Sequence, residues 1–136
     1  MYLLKPLMAW FIAQVLKIII EAFKNKKINF KRITGAGGMP SSHAALTVAL
    51  TTALWKDFGI SNPLVAVAIV FTLVVLYDAT GVRRASGKQA AVLNLIIDEL
   101  MQHKSLTDKR LKELLGHTPL QVLAGILLGF LVGFYF

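Results

Sequence analysis

Apolar residues gather in four runs that suit membrane crossing, since a bilayer core of about 30 Å takes about 17–25 helical residues. The first extends from Lys5 to Phe23, and Gln14, Lys17 and Glu21 interrupt it at i, i+3 and i+7, on one helical face. The second, Ser41 to Asp57, is short and rich in Ala and Thr. The third opens at Pro63, a good first-turn residue, and runs through LVAVAIVFTLVVLY to Asp78, with Val82 as its outer limit. The fourth, Thr118 to Phe136, has no formally charged side chain. Between the last two, Gln89 to Gln102 places Asn94, Asp98 and Gln102 on one stripe among Val, Leu, Ile and Met, the pattern of an amphipathic helix at an interface. Lys17 and Glu21 inside the first run, with no small-residue cleavage pattern after it, make it a mature helix and not a signal peptide. No repeat or low-complexity tract divides the chain. The expectation is an all-α integral membrane bundle of four transmembrane helices plus one amphipathic helix, with 1–136 as a single domain.

Composition strengthens that picture. The 136 residues are 56% hydrophobic and only 16% charged, against roughly 25% charged in soluble domains, too little polar surface to cover a water-exposed globule. The absence of cysteine excludes a disulfide scaffold, thiolate-bound zinc, iron–sulfur clusters and thiol catalysis. The net charge of +8 admits anionic lipid, nucleic acid or a phosphorylated substrate as partner. Four crossings would put segments 24–40 and 83–117 on one side, and these hold twelve of the fifteen Lys and Arg residues. Only Lys5 and Lys56 fall on the other side, so the crowded side is expected to face the cytoplasm and both termini the opposite compartment. Basic residues in juxtamembrane loops with almost no aromatic interleaving argue against nucleic acid.

The polar residues that meet the ends of these runs all lie on that cytoplasmic side. Gly37 and Gly38 precede Pro40, Ser41, Ser42 and His43 as the second run begins. Exposed backbone N–H groups, serine hydroxyls and a helix dipole make an anion site in outline there, although such a cap is more often only a cap. The third run ends Tyr77-Asp78-Ala79-Thr80-Gly81-Val82-Arg83-Arg84, setting a carboxylate in an apolar helix and two guanidiniums suited to phosphate beside it. The fourth begins Gly116-His117-Thr118-Pro119-Leu120-Gln121, after which Gly125, Gly129 and Gly133 mark a face for close helix approach. Two histidines at helix mouths with cations nearby fit phosphoryl transfer to an imidazole. One ring must be neutral to attack phosphorus and the other protonated to serve the leaving alkoxide, while donors hold the equatorial oxygens.

GGMPSSH, YDATGVRR with a following Gly-x-Gln-Ala-x-x-Leu-Asn run, and LLGHTPLQV together resemble the type 2 phosphatidic acid phosphatase superfamily, in its divergent bacterial and plant branch. The resemblance spans nearly the whole chain. It implies His117 as the phosphohistidine-forming nucleophile, His43 as the acid for the leaving group, and Ser41 and Ser42 as phosphate donors, although the superfamily usually has Gly where Ser42 stands. Arg83 or Arg84 would clamp phosphate. The superfamily's first motif, a lysine followed by Arg-Pro, has no clean counterpart; Lys17 or the Lys31-Arg32 pair stands in, and Lys17 is preferred for its polar neighbours. Gln121 occupies the position where the superfamily has aspartate, so an amide replaces the carboxylate that stabilises the imidazolium, unless Asp78 supplies that charge from the next helix.

The expected function is therefore a membrane lipid-phosphate phosphatase acting at the cytoplasmic interface on a phosphatidate, phosphatidylglycerophosphate or polyprenyl phosphate. The alternative is a non-catalytic membrane protein that binds lipid phosphate or assists a partner complex, which Gln121 favours. No cofactor is required for the first reading. In a variant of it, Asp78 with Asp98 or Glu99 holds a magnesium ion. The Gly-x-x-x-Gly face suggests a homodimer.

Overall fold

A computed structural model describes residues 2–25, 38–101 and 117–136, apart from the side chains of 24, 25, 83, 84 and 98–101. The described residues form five helices: α1 (Leu4–Asn25), α2 (Ser42–Phe58), α3 (Pro63–Thr80), α4 (Val82–Met101) and α5 (Pro119–Tyr135). Leu4–Phe23 and Pro63–Ile97 are long and apolar enough to cross a membrane by length and composition, and α5 is a shorter apolar helix. Large apolar side chains such as Phe11, Val67, Val70, Phe71, Leu123 and Leu127 face outward. A protein in water rarely leaves so continuous an apolar surface exposed, whereas lipid requires it.

The core is built from small residues. α2 buries Ala44, Ala45, Thr47, Ala49, Thr52 and Ala53 on several faces, which lets α1, α3 and α5 all pack on it. Its Ala- and Thr-rich composition is thus the reason that it is central. α1 runs antiparallel to α2: Lys17 meets Ser42 at one end, Ala9 and Ala13 join Ala45 and Ala49 in the middle, and the Tyr2 and Phe58 rings lie 5.5 Å apart at the other. α3 is also antiparallel, with Val65 and Ala68 beside Leu54 and Ala79 beside Ala44. α5 runs parallel to α2, because the Ser41 N–H donates to Gln121 O (2.9 Å) at their amino ends while Gly133 faces Ala49 near the other.

The α2–α5 seam explains the glycine repeat. A Cβ on Gly125 would lie 2.4 Å from Ser41 O, one on Gly129 2.5 Å from Ala45 O, and one on Gly133 2.6 Å from Ala49 O. These glycines pack within the chain, their face buried against α2. A correction concerns α4, which begins at Val82, seven residues ahead of the expected Gln89. The Arg-Arg-Ala stretch favours helix, so the one-residue break at Gly81 separates α3 from α4 and no loop follows. Two lysines close the far end: Lys5 Nζ donates to Gly133 O (3.5 Å) and Lys56 Nζ to Phe134 O (2.6 Å), satisfying carbonyls in the last turns of α5.

Candidate functional site

With α1 and α3 running one way and α2 and α5 the other, Lys17, Ser41–His43, Asp78 and His117–Gln121 all come to the same end of the bundle. The amino termini of α2 and α5 both open there, adding two positive dipole ends.

Lys17 is 6% exposed, and its Nζ donates to Ser42 Oγ (3.0 Å) and to Gln14 Oε1 (3.1 Å). Both acceptors are neutral. A buried ammonium normally has an anionic partner because desolvation of the charge is otherwise only partly offset. Gly38 packs on the lysine stem: it holds φ +87°, and a Cβ there would lie 3.6 Å from Lys17 Cγ. Only glycine adopts that left-handed backbone without strain.

The serines differ in their surroundings. Ser41 is the N-cap of α2, fully buried, with its Oγ accepting from Ala44 N–H (3.4 Å). Ser42 Oγ accepts from Lys17 Nζ, a bond that does not use its own O–H. His43, in the first turn of α2, is exposed.

His117 is 4% exposed. Its backbone N–H donates to Ala79 O (3.2 Å), and its Nδ1 lies 3.2 Å from Gln121 Oε1. That oxygen also accepts from Thr118 N–H (3.0 Å), while Thr118 Oγ1 accepts from Gln121 N–H (3.4 Å), a capping box at the start of α5. A backbone N–H can only donate, so the amide atom facing it must be the oxygen. Nδ1 then carries the hydrogen toward that oxygen, which in the neutral ring leaves the lone pair on Nε2. Asp78 is half-buried and adjacent to Ala79, whose carbonyl holds His117.

Hydrogen bonds therefore link Lys17 to Ser42, Ser41 to Gln121, and Gln121 to His117. Arg83 and Arg84 lie in the first turn of α4 at this end, but their side chains fall outside the described residues, as do those of Asp98 and Glu99 in the magnesium alternative and the whole Lys31-Arg32 pair. Among the described residues no group of three His, Asp or Glu could hold a metal. Two contributors escape a reading from spacing alone. The cap role of Thr118 is signalled by the Thr-Pro-Leu-Gln run; the Ala79 carbonyl has no sequence signal, being backbone.

A family model described as the divergent PAP2 family matches residues 1–132. The chain is also 40% identical, over 149 aligned residues, to a Bacillus subtilis (strain 168) protein named uncharacterized membrane protein YuiD. That alignment takes in 98% of this chain and 94% of the relative. No solved structure matches. The matched length places the chain in the divergent PAP2 family.

Proposed function

We propose that the chain crosses the cytoplasmic membrane four times, through α1, α2, α3 and α5, with α4 at the cytoplasmic interface, and that it hydrolyses a lipid phosphomonoester or diphosphate there. The observation that carries this reading is the buried Lys17 ammonium, held by neutral oxygens beside a serine at a helix amino terminus. An arriving phosphate would be its anionic partner, with Ser42 O–H and the dipole of α2 as further donors. His117 Nε2 attacks phosphorus, and the bond from phosphorus to the leaving oxygen breaks as His43 protonates that oxygen. Water then attacks phosphorus while giving a proton back to His43, and the bond from phosphorus to Nε2 breaks, releasing inorganic phosphate and restoring both rings. Arg83 or Arg84 at the start of α4 holds the remaining oxygens, and no step calls for a metal. Tails of a phosphatidate, phosphatidylglycerophosphate or polyprenyl phosphate stay in the bilayer beside the apolar outer faces.

Phosphate release from these three lipids by purified protein in detergent tests the proposal. Replacing His117 by Ala should abolish release, and retained turnover would sink the mechanism. Gln121 favours a second reading, a non-catalytic binder of lipid phosphate, because a neutral amide lends no charge to an imidazolium. Binding without turnover, with and without magnesium, would support that reading.

A further inference from the structure

α3 rests on α2 along a narrow stripe of Val65, Ala68, Thr72 and Ala79. The short connection before Pro63 anchors one end of α3, while Ala79, which holds the His117 N–H, lies about 24 Å further along the helix. A tilt of about 5° about that anchor would move Ala79 by about 2 Å, enough to lose a 3.2 Å hydrogen bond. Contacts among small apolar side chains resist such a tilt weakly in lipid, which is as apolar as the helix surface. Directional bonds resist it better, and they occur between the two ends. Thr51 Oγ1 donates to Ala68 O (3.1 Å), Thr72 Oγ1 donates to Thr47 O (3.2 Å), and the two hydroxyls lie 2.8 Å apart. Three contacts share two hydroxyl hydrogens, so loss of either threonine leaves one of these bonds, and loss of both leaves neither.

We propose that Thr51 and Thr72 are positioning residues. They hold α3 against α2 and so keep the Ala79 carbonyl where it fixes His117 for its bond to Gln121. The catalytic consequence rests on the reading of His117 as nucleophile; the structural one does not.

The chain has no cysteine, so an introduced Ala79→Cys/Val122→Cys pair, across the α3–α5 contact, reports the position of α3 directly. In native membranes this pair should cross-link readily, and in the Thr51→Val/Thr72→Val background at least about fivefold more slowly. Without the cysteines, the double Val variant should release phosphate from phosphatidate with kcat lowered about tenfold and KM within about twofold of the parent. Each single Val variant should fall between, and serine at both positions should restore cross-linking and kcat. An unchanged cross-linking rate, an effect confined to KM, or serine no better than valine would overturn the proposal. Should the parent protein release no phosphate, the phosphatase reading fails, and cross-linking alone decides the role of the threonines.

Discussion

Gly125→Ala tests whether the α2–α5 seam builds the site. The added Cβ would sit 2.4 Å from Ser41 O and 2.9 Å from Ala44 Cβ, whereas ordinary contact begins at 3.4 Å. The obstacle is backbone, so the helices must separate by about 1 Å at that level. The Ser41 N–H to Gln121 O bond, 2.9 Å in the native protein, then stretches to nearly 4 Å and is lost. Overpacking costs about 1–3 kcal/mol and the bond about 1 kcal/mol, a loss of about 2–4 kcal/mol in all. Gly133→Ala is the control: its Cβ would meet Ala49 O at 2.6 Å, a similar clash at the opposite end of the seam. Both variants should lower the midpoint of thermal unfolding in detergent, but only Gly125→Ala should also weaken binding of orthovanadate, a phosphate mimic, because it alone moves Gln121 and with it His117. A Gly125→Ala protein as stable as the parent and binding vanadate normally would refute this account of the seam.

Other perturbations separate the roles of the site residues. Lys17→Met keeps the apolar stem and removes the ammonium; vanadate affinity, read by calorimetry, should drop about 10- to 100-fold with little loss of thermal stability, since a charge-assisted bond contributes about 1.5–3 kcal/mol. Gln121→Glu keeps both the reach to His117 Nδ1 and the capping box while adding a carboxylate. That charge favours the imidazolium, so the acid limb of the kcat/KM profile should move to higher pH. A limb that stays in place would show that the ring at 117 does not limit the acidic side. Thr118→Ala removes the hydroxyl half of the cap and should cost about 1 kcal/mol in thermal unfolding, with Ser recovering most of it.

Much of this architecture was readable in one dimension because its causes are local. Apolar runs set where α1, α2, α3 and α5 lie to within a residue or two, Pro63 and Pro119 mark the starts of α3 and α5, and the alternating direction of the helices brings Lys17, Ser42, Asp78 and His117 toward one end. The glycine spacing likewise foretold a close approach, since a face without Cβ atoms has little other use in a helix. Its partner was not foretold: a second copy of the chain and a neighbouring helix leave the same trace, and only the fit of Gly125, Gly129 and Gly133 onto Ser41, Ala45 and Ala49 chose α2. The start of α4 was missed for a similar reason, because one glycine after an apolar helix signals an end without saying whether a loop or another helix follows. At the site, the residue types were legible but their connections were not. That Gln121 both caps α5 and faces His117 Nδ1, that Gln14 shares Lys17 with Ser42, and that a carbonyl of α3 holds the His117 backbone all depend on distances between helices. Periodicity records which face of a helix is buried; which neighbour buries it is decided by shape and hydrogen bonds across the bundle.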